Sequence, residues 1–441
     1  MALTYHSPGV YVIEQDTGAR PIQAVGTSTA GFIGEAPLAD AEQGLPVAVN
    51  SWAEFEARFV PQVEPGSNRE IESTHLANAV QGFFLNGGGR CYIVNQEAGA
   101  PLADPLEALG RIDEIAILAA PGRTDIGAYN DLLASAKNLE DRVAVLDGPA
   151  EASEISDLTK VATSSSPAPS PSPSPSPATS DGDDEDGEGA AASPTPSPAP
   201  RPRRSSGSGG KGPPRDDKGY GAFYFPWLVG RDAVNPMRFD RELGRDVPNE
   251  VPIPPSGHVA GLYARTDSER GVHKAPANMT VLGATDLTQR ISHQEQEVLN
   301  PEGVNCIRFF SREGIRVWGA RTIAPGSSNW RYLPVRRLFN MVKESIAEST
   351  RWVVFEPNDK PLWKLIERDV SAFLNLLWRN GALAGATPEE AYFVRCDETT
   401  NPQESIDAGN VVTVIGIAPL KPAEFVIFKI GQTSQSDRAA A

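Results

Sequence analysis

The sequence predicts an α/β fold with more than one globular region, and three observations carry that prediction. Apolar segments of helical spacing alternate with short, nearly continuous apolar runs, which is the pattern of buried parallel strands joined by helices. A chain of 441 residues suits two or three domains, each able to bury a core. Hydrophobic residues make up an ordinary 40%, whereas the 39 prolines are unevenly spread and mark a break in composition between residues 163 and 217.

The elements follow in chain order. PGVYVIE (8–14) is a short strand flanked by turn residues. Residues 26–161 carry the α/β pattern. ESTHLANAVQGFFLNGGG is a helix with Leu76, Val80, Phe83 and Phe84 on one face, ending at Gly87. RCYIVNQ and IDEIAILAAPG are strands, AYNDLLASAKNLE is a helix and RVAVLDGP the next strand, which together make a parallel βαβ unit. After residue 217, YGAFYFPWLVG predicts one aromatic-rich strand, and PNEVPIPPS (248–256) a Pro-rich connection. A second globular region then runs over 257–430. One of its helices, 334–349, turns Leu338, Val342 and Ile346 inward and Arg336, Arg337 and Lys343 outward. Another is capped by Asn358 or Asp359 and has Pro361 in its first turn. Its apolar stripe is Leu362, Ile366, Val370, Phe373, Leu374 and Leu377, and Gly381 ends it. NVVTVIGIAP and AEFVIFKIG are the last strands.

The segment 163–217 holds Ser/Pro repeats, the acidic run Asp181 to Glu188 and a basic, Gly-rich end, with almost no large apolar residue. Such a stretch cannot offset its conformational entropy by burial, so it predicts a disordered surface insert. The acidic run lacks the spaced ligands and closing carboxylate of a calcium loop.

Charge and motifs narrow the function. A net charge of −17 excludes non-specific nucleic-acid binding, which needs basic clusters, and favours partners with positive patches. No leader pattern and no membrane-length apolar run occur, which predicts a chain made in the cytoplasm without membrane binding. Cys91, Cys306 and Cys396 are odd in number and far apart, so they read as buried thiols. The histidines, His6, His75, His258, His273 and His293, have no HExxH spacing, and there is no G-x-S-x-G elbow. No catalytic set, metal site or cofactor is therefore expected. Asn86 to Gly89 follow a helix and precede a strand, the reverse of a phosphate loop, and read as a helix stop. Arg312, Arg316, Arg321, Arg331, Arg336 and Arg337 cluster in sequence, as a solvated face or as half of a contact between subunits. The terminal strands, Gly9, Val10, Tyr11, Val12, Ile13 and Glu14 at one end and Glu424, Phe425, Val426, Ile427, Phe428, Lys429 and Ile430 at the other, suit addition to the edge of a neighbour's sheet.

The C-terminal half resembles the phage tail sheath family. PPSGHVAGLYARTDSERGVHKAPAN, LNPEGVNCIRFF, IRVWGARTI, WRYLPVRRLFNMVKESI, WVVFEPNDKPLW, LWRNGALAGATPEEAYFVRCDETTN and APLKPAEFVIFKIGQ occur in the family's order and cover most of 252–432. SPGVYVIE, VGTSTAGFIG and AVQGFFLNGGGRCYIV add to the match near the N-terminus, while the insert departs from it. The KAPAN and FEPND segments and the compact size look most like sheaths of phage-tail-like contractile injection systems.

The resemblance implies an N-terminal linking arm (1–25) and an outer domain of subtilisin-like fold (26–162 and 218–250) carrying the insert. It also implies an inner α/β domain (251–420), built with the N-terminal strand, and a C-terminal linking strand and tail (421–441). It implies a structural, non-enzymatic subunit that polymerises with itself as six-fold rings around an inner tube and contracts from a metastable extended state. The implied partners are the inner tube, baseplate and tail terminator proteins and an AAA ATPase for recycling or assembly. The implied place is the cytoplasm on synthesis and then an assembled particle. Either of two inner helices faces the tube, the one carrying Lys364, Glu367, Arg368 and Arg379 or the one over 334–349. The alternative is a hydrolytic enzyme on a subtilisin-like domain, which lacks a catalytic set.

Overall fold

The computed structural model describes residues 21–62, 71–162 and 209–427. The N-terminal strand 9–14, the acidic run and Phe428, Lys429 and Ile430 lie outside them. The strands are β1 (Ala30–Gly34), β2 (Pro46–Val49), β3 (Cys91–Asn95), β4 (Ile117–Ala119), β5 (Val143–Asp147), β6 (Gly221–Phe225), β7 (Leu228–Arg231), β8 (Met237–Asp240), β9 (Arg245–Pro248), β10 (Glu250–Ile253), β11 (Ala284–Leu287), β12 (Val304–Phe310), β13 (Gly314–Val317), β14 (Tyr392–Arg395) and β15 (Val414–Ile417). The helices used below are α1 (Trp52–Phe59), α2 (His75–Leu85), α3 (Ala103–Gly110), α4 (Ile126–Leu139), α5 (Ser256–Arg270), α6 (His293–Leu299), α7 (Leu333–Ser349) and α8 (Lys360–Arg379).

A sheet of eight strands, in the order β13-β12-β6-β5-β4-β1-β3-β2, organises the first body. Its six inner strands are parallel, and the edge strands β13 and β2 are antiparallel to their neighbours. Alternate side chains enter two cores. Phe32, Ala119, Val145 and Tyr224 meet α1, α2 and α5 on one face, and Ile33, Leu118, Leu146 and Phe223 meet α3 and α4 on the other. Burial on both faces is why these strands read as unbroken apolar runs. Helices α2 and α5 touch through backbone, because a Cβ at Gly257 would lie 2.1 Å from Ala79 O.

The second body packs α7, α8 and the β14–β15 pair around Leu338, Val342, Ile366, Val370, Phe373 and Leu374. The caps of α8 are as the sequence predicts. Asp359 accepts from Leu362 N at 3.0 Å, Pro361 lies in the first turn, and Gly381 takes φ +74° past the end.

The structure departs from the sequence reading in four places. YGAFYFPWLVG forms two strands in two sheets, because Pro226 has no N–H to continue the β6 ladder. The Pro-rich connection contains β10, the edge of a three-stranded sheet β10-β7-β11, a position where prolines are tolerated. The first body does not stop at residue 250, since α5, β12 and β13 belong to its sheet and cores. The insert's C-terminal end is placed. Ala162 and Val161 bridge Gly210 and Gly212 in parallel, and the buried Asp216 accepts from Tyr220 N at 2.6 Å.

Candidate functional site

Helix α7 is shared by both bodies. Its apolar side, Leu338, Met341 and Val342, belongs to the second core. Its polar side is pressed against the first body. Arg337 donates to both carboxylate oxygens of Asp267 on α5, at 3.0 and 2.6 Å, and to Thr27 O at 3.0 Å. Its guanidinium also lies 4.6 Å from the centre of the Tyr263 ring. Arg336 stacks on Trp330 and Tyr220, at 4.1 and 4.6 Å, and donates to Asn340 Oδ1. Asn340 donates to Arg142 O at 3.1 Å. Lys343 pairs with Glu140, and Lys343 and Lys218 hold that carboxyl down to about 2. Arg336 and Arg337 were expected to point outward. They do point away from the second core, but they end up buried within the chain, so neither is available to a neighbour.

Among the other basic candidates, Arg312 is exposed. Arg316 is half-buried, donating to Asn278 and pairing with Glu313 at 3.3 Å. On α8, Lys364, Arg368 and Arg379 are exposed while Glu367 is half-buried and paired with Lys364 at 2.6 Å. Arg368 reaches the adjacent Asp369 at 3.0 Å.

At the C-terminal end, residues 421–427 form no strand among the described residues. Glu424 is held by Arg321, and Phe425, Val426 and Ile427 are exposed. Asp267, Thr27 and Asn340 carry no signal in the sequence as partners, because each meets a residue far away in the chain.

One cluster has the residue types of a hydrolase. At the C-terminal end of β5, Asp147 accepts from Ser256 Oγ at 2.7 Å, Ser256 N at 2.8 Å and Gly122 N at 3.0 Å, with the His75 ring packed over Gly122. The serine gives its hydroxyl directly to the carboxylate, with no imidazole between, and Ser256 is wholly buried. The arrangement caps the start of α5. Burial pushes Asp147 up to about 6, against the three hydrogen bonds that lower it. Cys91, Cys306 and Cys396 are buried, unpaired thiols, and no group of three metal-ligating side chains occurs among the described residues. No helix among them is long and apolar enough to cross a membrane.

Two family models match the chain. The phage tail sheath protein central domain covers residues 228–323 and the phage tail sheath C-terminal domain covers 326–433. Their seam falls where the chain passes from the first body to α7. Relatives include the tail sheath proteins of Vibrio phage KVP40, 28% identical over 41% of this chain, and of Enterobacteria phage T4, 26% identical over 46%. The matched part spans 27% and 30% of those two relatives' length. Among solved structures, the sheath complex of the extracellular contractile injection system PVC, in its contracted state, is 28% identical with a TM-score of 0.68, covering 99% of this chain and 100% of that one. The contracted helical sheath of the anti-feeding prophage is 28% identical with a TM-score of 0.66, covering 98% and 100%.

Proposed function

We propose that this chain, which belongs to the phage tail sheath family, is the sheath subunit of a contractile injection particle. The observation that carries this reading is end-to-end similarity to contracted sheath subunits, 99% of this chain against 100% of the PVC chain. Subunits stack as six-fold rings around an inner tube, attach to a baseplate below and a terminator above, and engage an AAA ATPase in assembly or recycling. They are synthesised in the cytoplasm and work inside the assembled particle.

The mechanism is mechanical. The extended sleeve is a metastable packing set at assembly, and contraction takes it to a lower-energy packing without nucleotide or metal. Terminal arms, Gly9 to Glu14 and Glu424 to Ile430, keep subunits tethered by pairing with strands of neighbours. Both outer edges of the β14–β15 sheet are unpaired among the described residues, and an unpaired edge is a template for an added strand. A strand of this length brings several backbone hydrogen bonds, each worth about 1 kcal/mol net. The tube-facing element is α8, because the polar side of α7 is occupied by the first body while Lys364, Arg368 and Arg379 remain exposed.

The test is co-expression with the inner-tube protein and negative-stain microscopy. Striated tubes are expected, and dispersed monomers would sink the reading. Val12→Pro removes a ladder donor and is expected to abolish tubes; normal contractile tubes from that variant would refute the shared-sheet tether.

A further inference from the structure

The root of the C-terminal arm is fastened to the body that it does not come from. The second body's backbone holds the chain as far as Leu420, whose N–H donates to Ala382 O at 3.4 Å. Four residues later Glu424 is bound to the first body. Arg321 Nε donates to the two carboxylate oxygens at 2.9 and 3.2 Å, and Nη2 also donates to Oε2. The remaining nitrogen, Nη1, donates to Asn300 O at 3.1 Å. The side chains of Arg321 and Glu424 are 8% and 15% exposed.

Arg321 is itself held from behind. Asn305, fully buried on β12, accepts from Arg321 N and donates to Arg321 O, both at 2.7 Å. A guanidinium stays charged and presents a planar fork that matches a carboxylate. With its backbone clipped to a sheet strand, Arg321 is a carboxylate receptor aimed before the ligand arrives. Directly beyond Glu424, Phe425, Val426 and Ile427 stand 73%, 72% and 81% exposed.

We propose that Arg321 is the seat of the C-terminal arm, fixing Glu424 so that a pull on the arm is delivered to the eight-stranded sheet of the first body. A tether hinged at residue 420 would add four residues of slack, about 13 Å of extended chain, before any load was transmitted. The seat removes that slack. The pull rests on the sheath reading above; the seat rests on the Arg321, Asn305 and Glu424 geometry alone.

The test has two arms. The first is chymotryptic cleavage after Phe425 in the full chain, since the protease must draw residue 424 into its cleft and the pair must open first. Glu424→Ala is expected to be cut at least about tenfold faster, while the thermal midpoint falls by only about 3–5 °C and the far-UV circular dichroism matches the parent. Arg321→Lys, which keeps the charge and loses the fork, should give a smaller increase. Equal rates for the parent and Glu424→Ala overturn the seat. Should Arg321→Lys fail to fold, Glu424→Ala still decides, because Glu424 lies in a segment outside every helix and strand. The second arm is tube length after a fixed shear. Tubes of Glu424→Ala are expected to break to half the parental mean length or less, and unchanged length overturns the delivery of load. If the parent builds no tubes, the sheath reading fails while the cleavage arm still reads the seat.

Discussion

Arg337→Ala tests how firmly the two bodies are joined. The substitution removes two charge-assisted hydrogen bonds to Asp267, one to Thr27 O and the stacking on Tyr263. Asp267 keeps only the Thr27 hydroxyl, at 2.5 Å, as its partner among these groups. Both side chains of the pair are more than nine-tenths buried. Removing one partner from a buried pair costs about 3–5 kcal/mol, because the other charge stays behind without compensation. At about 2–4 °C per kcal/mol for a unit of some 200 residues, the midpoint should fall by roughly 6–20 °C. Differential scanning calorimetry of the parent, Arg337→Ala, Asp267→Ala and the double variant measures it. The singles should be worse than additive, with a coupling energy of about 2 kcal/mol or more. Additivity within about 0.5 kcal/mol would refute the claim that this pair clamps α7 to α5.

Three further outcomes follow from particular residues. Burial raises the Asp147 carboxyl to about 6, so its contribution to stability is fully present below about pH 4 and is lost as pH rises through 6; the charged form then costs about 3 kcal/mol. Asp147→Asn should flatten the pH dependence of the melting midpoint between pH 4 and 6, and an unchanged slope would contradict the burial argument. Replacing residues 164–208 by a Gly/Ser linker of about twelve residues, the length that a parallel pair needs to reconnect, should leave melting and assembly unchanged. Removing residues 164–216 instead takes Asp216 and the Gly210 and Gly212 bridges with it and should lower the midpoint; equal midpoints would show that this stem contributes nothing. Reversing Lys364 and Arg368 on α8 should weaken co-sedimentation with the inner tube while circular dichroism stays unchanged, and undiminished binding would remove α8 as the tube-facing element.

Much of the fold was legible because periodicity reports which side of an element meets an apolar core. The α8 stripe, its Asp359 cap and the apolar run Val143 to Leu146 of the fully buried β5 were readable for that reason. Periodicity does not report what the other side meets. Arg336 and Arg337 looked solvated because they oppose Leu338 and Val342, yet a second body lies against them. That strands beyond residue 250 join the eight-stranded sheet was not legible, because strand order is set by long-range pairing. β12 lies beside β6 across some eighty residues of intervening chain, and no local signal encodes that. The seat for Glu424 was invisible for the same reason, being an ion pair between residues 103 apart. The terminal segment expected as a strand forms none over 421–427, and its proposed pairing is not a property of one chain.

The double occupancy of α7 has a consequence for where motion takes place. A joint between the bodies would have to strip Arg337 from Asp267, unstack Arg336 and part Asn340 from Arg142 O in one movement. Each of these contacts is lost only if all are lost, because they sit on one rigid helix, so partial opening gains nothing. The two bodies thus move as one piece, and on the proposed tether the pivots between subunits fall to the arms. On that proposal, displacement is a matter of how one copy swings on the next, and its amplitude would be set by the length of arm beyond the last fastened residue.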